Sequence, residues 1–158
     1  MARVLIIYHS KTGNTEKMAE AVEEGVKKEG VEAVRKRLEE ASIDELLDFD
    51  GIIIGSPTYF AATTAEVKRF IDDSIKYYRR LTGKVGAAFV SSGGLGGGGE
   101  TALISILQGF LTHGMIVPGY TGGGHYGPVS IGAPDEEKKK ACGEMGAIVA
   151  RLVKKLFN

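Results

Sequence analysis

Five short apolar runs are distributed along the chain, and longer amphipathic segments separate them. Arg3–Tyr8 is rich in β-branched residues and shows no polar alternation, which predicts a strand buried on both faces of a parallel sheet. Residues 51–55 and 85–90 have the same character, and residues 115–117 predict a short fifth strand. Residues 31–38 alternate weakly between apolar and charged side chains, which is typical of an edge strand.

The segments between these strands have the apolar spacing of helices. Two of them begin at a capping box, Ser42 with Glu45 and Thr63 with Glu66, and residues 118–134 are predicted as a loop before the last helix. Strands that alternate with helices predict a parallel sheet covered on both faces, because each parallel crossover needs a helix. Ligands bind such sheets beyond the carboxyl ends of the strands, so the loops after strands one, three and four are the candidate site.

Size and composition predict one α/β domain spanning residues 1–158. The 20 basic residues balance the 20 acidic ones, which argues against nucleic acid as a partner. A single cysteine excludes a disulfide framework and a site built from several thiolates, so a cytoplasmic location and no bound metal are expected. The apolar runs are too short for membrane insertion.

The first candidate loop is Ser10-Lys11-Thr12-Gly13-Asn14-Thr15, which leads directly into a helix. Three hydroxyls and unpaired backbone N–H groups converge there, and the helix dipole favours an anion, so the loop predicts a phosphate site. The alternative is an ordinary helix cap that is rich in hydroxyls.

Other phosphate signatures do not fit. The Gly83-Lys84 pair is followed by Val85 rather than Ser or Thr, which argues against a P-loop. The G-x-G-x-x-G matches fall in tracts so rich in glycine that a match is nearly forced. Cys142 lies in the last predicted helix, away from any phosphate loop.

The loop after the first strand resembles the [ST]-x-T-G-x-T phosphate loop of flavodoxins. Further segments resemble the WrbA branch of that superfamily, the FMN-dependent NAD(P)H:quinone oxidoreductases, in matching order along the chain. These segments are Gly55-Ser56-Pro57-Thr58-Tyr59-Phe60, residues 66–72, Ser91-Ser92-Gly93 with Gly97-Gly98-Gly99-Glu100-Thr101, and His113-Gly114-Met115.

The resemblance implies a flavodoxin-like, doubly wound, five-stranded parallel sheet in the order 2-1-3-4-5. It also implies FMN as cofactor and NADH or NADPH as electron donor. His113 is the candidate catalytic residue, placed beside the flavin by its own or a neighbouring subunit. The implied FMN-binding residues are Ser10, Lys11, Thr12, Gly13, Asn14, Thr15, Pro57, Thr58, Tyr59, Phe60, Ser91, Ser92, Gly93, Gly94, Leu95, Gly96 and His113.

Each assignment has a simpler alternative. Tyr59 and Phe60 are either flavin-flanking aromatics or core residues, and the glycines at 93–99 are either a backbone surface for the ring or a flexible loop. A histidine such as His113 is more often structural. His9 is expected only to pack against the phosphate loop.

The chain also departs from the WrbA-type sequences, since it contains no tryptophan. Tyr77 or Tyr78 is the candidate replacement near the substrate, although a charged helix face is an equally good interpretation of that stretch. His125 is a weaker candidate for the same neighbourhood.

The expected function is transfer of two electrons from NAD(P)H to a quinone or similar small acceptor. An electron-carrier flavodoxin is the alternative, but the zero net charge does not provide the acidic face that such carriers use. A regulatory module with structural FMN is a third possibility. The resemblance also implies a homodimer or homotetramer.

Overall fold

The computed structural model describes residues 1–157. Short 3₁₀ turns at Leu38–Glu40, Ile43–Leu47 and Ser74–Tyr77 accompany six strands and four helices. In chain order these are β1 Arg3–Tyr8, α1 Asn14–Lys28, β2 Glu32–Arg37, β3 Gly51–Tyr59, β4 Ala62–Thr63, α2 Ala65–Asp73, β5 Val85–Ser92, α3 Gly99–Thr112, β6 Val129–Ile131 and α4 Glu136–Phe157.

Five strands form a parallel sheet in the order β2-β1-β3-β5-β6, and β4 folds back antiparallel on the end of β3. This is the predicted doubly wound arrangement, with β2 at the edge, as its alternating pattern indicates. Because the inner strands are apolar on both faces, the sheet has a core on each side. Met18 of α1 and Val149 of α4 pack on one face, and Val67 of α2 and Leu103 of α3 pack on the other.

The position of the fifth strand was predicted wrongly. Residues 115–117 contribute only an isolated bridge between Ile116 and Val85, whereas the pairing strand is β6, which lies inside the predicted loop 118–134. Pro118 follows almost at once and has no N–H to extend a ladder. The chain therefore leaves the edge of β5 after Ile116 and returns at Pro128, whose carbonyl accepts from the Val90 N–H.

Two further local predictions can be compared with the structure. The capping box of Ser42 and Glu45 is confirmed at the start of its 3₁₀ turn. The predicted cap at Thr63 is wrong by one residue, because Thr64 Oγ1 accepts from the Val67 N–H and Thr63 is paired in β4. The hairpin formed by β3 and β4 displaces the helix start.

Helices α1 and α4 pack backbone to backbone along one face of the sheet. A Cβ built on Gly25 would lie 2.0 Å from the carbonyl oxygen of Gly143, so only glycine fits at position 25. Gly146 is equally close to the backbone of Val22. No helix within residues 1–157 combines the length and apolar character that a membrane crossing requires.

Candidate functional site

The loops that follow β1, β3 and β5 meet at the carboxyl edge of the sheet. Thr15 Oγ1, in the first turn of α1 directly after the first loop, and Ser91 Oγ, at the end of β5 directly before the third, are 2.9 Å apart and buried. The Nζ atom of Lys11 lies 5.3 Å from the centre of the Tyr59 ring, which links the first loop to the second. The three loops predicted to form one site are therefore close together in the folded chain.

The phosphate-loop candidate has the local geometry of an anion site. Gly13 adopts φ 92° at the N-cap of α1, and no side chain in the described part of the chain caps this helix there. Ser10 Oγ instead accepts from the Gly13 N–H at 3.1 Å, inside the loop. The first-turn N–H groups of α1 are thus left for a ligand, which argues against the alternative of a hydroxyl-rich cap.

The second loop is the hairpin of β3 and β4, and it projects aromatic side chains into solvent. Thr58 pairs with Thr63 and Tyr59 with Ala62, while Phe60 and Ala61 form the tip with positive φ values of 48° and 62°. Tyr59 is exposed, and Phe60 is entirely so. The alternative that these two aromatics are core residues is therefore wrong.

The third loop is a tight glycine turn against that hairpin. The Gly97 N–H donates to the Gly94 carbonyl at 3.1 Å, and Ser92 Oγ donates to the same oxygen. A Cβ at Gly98, which has φ 91°, would approach Ala61 Cα to 2.4 Å. The simple flexible-loop interpretation does not explain Gly97 or Gly98, because their neighbours leave no room for a side chain.

Cβ atoms built on Gly93 and Gly94 meet nothing within 4 Å, so these two positions present bare backbone to the open space beside the three loops, which is called the cleft below. Leu95 beside them is almost fully exposed. The cleft is thus bordered by backbone amides on one side and by apolar side chains at its rim.

The second loop contains a buried hydroxyl without a hydrogen-bond partner in the described chain. Thr58 Oγ1 is buried, yet it has no hydrogen-bond partner among residues 1–157. A buried hydroxyl without a partner costs free energy, so its position fits a bound ligand that supplies the missing bond. With the open helix terminus and the exposed aromatics, the residues present fit a phosphate joined to a flat ring system.

His113 lies at the opposite end of the molecule from these loops. It follows α3, whose 14 residues run back from the carboxyl edge of the sheet over about 20 Å. Its Nε2 is 2.8 Å from Ser74 Oγ. Within one chain the structure does not bring His113 to the phosphate loop.

The hydrogen bonding of His113 fixes its tautomer. Ser74 Oγ donates its proton to the Ile71 carbonyl at 2.6 Å, so it accepts from Nε2–H of the imidazole. Burial lowers the pKa of His113, which favours the neutral ring. Its Nδ1 is then a buried acceptor, and it has no partner within the described chain.

The two tyrosines proposed for the substrate lie beside His113 rather than beside the cleft. The Tyr77 side chain is buried and its hydroxyl donates to Asp44. Tyr78 is half exposed, and its ring centre is 6.4 Å from that of His113. Of the two, Tyr78 is the one that another molecule could contact.

His125 lies in the excursion formed by residues 117–128, outside the cleft. Its carbonyl accepts from the Tyr120 N–H at 2.9 Å, and its side chain is exposed. Tyr120 anchors the excursion by donating to Glu144 of α4, and burial together with this bond raises the pKa of Tyr120 to about 12. None of the bonds described here connects His125 to the three loops.

Two residues at the end of β2 support the phosphate loop, and sequence reasoning missed both. Arg37 Nη2 donates to the Ser10 carbonyl at 2.6 Å, and Glu39 Oε1 lies 2.9 Å from His9 Nδ1. The sequence does contain a signal for Arg37 and Glu39, because charged residues follow an edge strand that is predicted to lie beside the first strand and its loop. A surface groove of about 690 Å³ between α1 and α4 is remote from this chemistry.

Comparison with known proteins assigns the chain to a family. A family described as NADPH-dependent FMN reductase matches residues 40–123. A flavodoxin of Aquifex aeolicus is 43% identical, with 97% of this chain and 88% of that protein covered. The chain belongs to the flavodoxin superfamily.

Two further relatives of this flavodoxin-like chain lie in its WrbA-type branch. An NAD(P)H dehydrogenase (quinone) of Archaeoglobus fulgidus is 37% identical over 99% of this chain and 100% of that protein. The crystal structure of a WrbA-like flavodoxin from Agrobacterium tumefaciens has a TM-score of 0.85 at 26% identity, covering 99% of each chain. The chain is thus a flavoprotein of the oxidoreductase class, with FMN as its cofactor.

Proposed function

We propose that this flavodoxin-like protein transfers two electrons from NAD(P)H through FMN to a quinone. The observation that carries the proposal is the composition of the loops at 10–15, 56–64 and 91–99, which contain no carboxylate and expose Tyr59, Phe60 and Leu95. An apolar rim without carboxylates suits a flat, neutral acceptor. The full-length similarity to an NAD(P)H dehydrogenase (quinone) supports the same function.

The residues of the three loops have separate tasks in this proposal. Ser10 to Thr15 hold the phosphate on the N-terminus of α1, and Thr58 Oγ1 donates to a polar group of the cofactor. Tyr59 and Phe60 border the ring, and the backbone of 91–96 contacts its polar edge. FMN supplies the electron transfer itself, and the protein contributes orientation and a rim that limits access of water.

His113 and Tyr78 join the site only in an oligomer, because both lie about 20 Å from the loops of their own chain. Ile75, Leu111 and Ile116 lie within three residues of Tyr78 or His113 in the sequence, and they are exposed, which provides apolar surface for a second copy. We propose a homodimer or homotetramer in which this surface faces a neighbouring cleft. Light scattering at micromolar concentration tests it, and a monomer would exclude His113, Tyr78 and Tyr77 from the reaction.

The function is tested by anaerobic titration of the FMN-loaded protein with NADH and then NADPH, followed by benzoquinone. We expect the flavin absorbance to bleach with at least one nucleotide and to return fully with the quinone. If dithionite reduces the flavin but neither NADH nor NADPH does, the proposed enzyme activity is refuted.

The second candidate is an electron carrier, and it is favoured by the 43% identity to a protein named flavodoxin. It predicts no reduction by nucleotides, a stable one-electron-reduced form, and fast exchange with a protein partner. Stepwise reduction of the flavin with dithionite distinguishes the two functions, because only the carrier requires the one-electron-reduced form to accumulate during the titration.

A further inference from the structure

His9 occupies a buried position directly before the phosphate loop. It is only 5% exposed, and its backbone N–H donates to the Gly55 carbonyl at 3.1 Å, which fixes the residue to β3. Its Nδ1 is 2.9 Å from Glu39 Oε1. Its Nε2 is buried and finds no partner anywhere in residues 1–157. Simple packing against the loop does not explain an ion-pair geometry combined with an orphaned nitrogen.

The carboxylate of Glu39 determines the protonation pattern of the ring. An ionised carboxylate only accepts hydrogen bonds, so Nδ1 carries a proton. Nε2 is therefore a lone pair when His9 is neutral and a second N–H when His9 is cationic.

Charged groups surround His9 from each neighbouring segment. Glu39 and Arg37 come from the end of β2, and they lie 3.7 Å apart. Glu66 comes from the first turn of α2, where its backbone hydrogen bond chiefly lowers its pKa and electrostatic interactions with His9 and Lys11 lower it further. Lys11 belongs to the loop itself. The ring thus lies between two carboxylates and two cations, and an added anion shifts that balance.

His9 is also mechanically coupled to the loop. The next residue, Ser10, is held at its carbonyl by Arg37 and accepts the Gly13 N–H through its Oγ. Because Ser10 follows His9 directly, the position of His9 helps to determine that of Ser10 at the entry to α1. The end of β2 therefore supports the phosphate loop through His9 and Arg37 together.

We propose that His9 is a positioning residue for the FMN phosphate, and that its protonation strengthens binding of that phosphate. The phosphate dianion favours the cationic ring, and by linkage the cationic ring favours the phosphate. Glu39 holds the ring in place and supports its charge. This inference rests on the proposed binding of the FMN phosphate at Ser10 to Thr15.

The test measures dissociation constants of apoprotein for FMN and for riboflavin, by quenching of flavin fluorescence, from pH 5.5 to 8. His9→Gln removes the charge and His125→Gln is the matched control at an exposed histidine. His9→Gln reports the effect of the phosphate's own ionisation, so the ratio of wild-type to His9→Gln affinity gives the contribution that His9 adds. We expect this ratio for FMN to rise about tenfold toward low pH, as for a partly buried charge pair. For riboflavin it should stay constant.

Calorimetry in buffers of different ionisation enthalpy provides a second measurement. FMN binding should take up protons in wild type and His125→Gln, and less so in His9→Gln. Glu39→Gln should keep the fold and move the pH dependence of the ratio to lower pH, because the cationic ring loses its counter-charge. A pH-independent FMN ratio, or the same pH dependence with riboflavin, would overturn the role of His9.

The outcomes separate this inference from the proposed function. If the protein does not reduce quinones, the ratio of wild-type to His9→Gln affinity for FMN can still follow the predicted pH dependence, because the titration contains neither nucleotide nor quinone. Failure of wild-type protein to prefer FMN over riboflavin would instead refute phosphate binding at this loop.

Discussion

Replacing Thr58 by valine should have opposite effects on the protein with and without its cofactor. In the apoprotein Thr58 Oγ1 is buried without a partner, which costs about 1–3 kcal/mol. Valine has the same shape without the hydroxyl. We therefore expect the free energy of unfolding of the apoprotein to rise by about 1 kcal/mol, and its melting temperature to rise by about 2–4 °C.

With FMN bound, the same hydroxyl gains a partner that valine cannot replace. Loss of one such bond costs about 1 kcal/mol, or roughly fivefold in the dissociation constant. Urea denaturation of apoprotein and fluorescence titration with FMN measure the two effects, with exposed Thr121→Val as the control. If Thr58→Val destabilises the apoprotein, or binds FMN as well as wild type does, then the hydroxyl does not serve the cofactor.

Three further predictions concern glycine contacts and pH. Gly98→Ala should lower the free energy of unfolding by about 2 kcal/mol and weaken FMN binding, because the new Cβ would clash with the hairpin. Gly83→Ala is the control, since Gly83 has φ 82° and open space around it; urea denaturation should show a cost of about 1 kcal/mol, and FMN binding should not change. Gly25→Ala should lower the free energy of unfolding by about 2–3 kcal/mol, because the new Cβ would push α1 away from α4. Gly143→Ala makes only ordinary contacts and should raise the free energy of unfolding by up to about 1 kcal/mol through helix propensity. Equal effects of the two substitutions would contradict the close packing at Gly25. Burial lowers the pKa of His113, so the unfolded chain binds that proton more tightly than the folded chain does. The free energy of unfolding, measured in urea, should therefore fall as the pH drops below about 6.5. His113→Gln should make this fall less steep, and an unchanged pH dependence would refute the assignment to His113.

The sheet and the cleft could be predicted because their signals are local. Each inner strand is an uninterrupted apolar run, and the loops carry recognisable residues at strand ends. The strand β6 could not be predicted in this way, because Val129–Ile131 is three residues long and lies among glycines and prolines. Its pairing depends on the edge of β5, which sequence periodicity does not describe.

The distance of His113 from the loops was deducible in principle. A helix of 14 residues after β5 must return the chain to the opposite end of the sheet. The orphaned atoms of Thr58 and His9 were not deducible, because they depend on which donors the folded chain brings within reach. Residue type alone does not tell a satisfied hydroxyl from an unsatisfied one.

The divided outer edge of the sheet has a consequence for self-association. A long unpaired edge strand is a template on which another chain can add a strand and begin to aggregate. Here the edge is interrupted between Ile116 and Val129, and Gly127 lies against the carbonyl of Ala88 in the gap. The excursion at 117–128 therefore protects the edge of the sheet. Replacing it with four extended residues, enough to span the five strand positions between the partners of Ile116 and Val129, should yield a protein more prone to fibril formation.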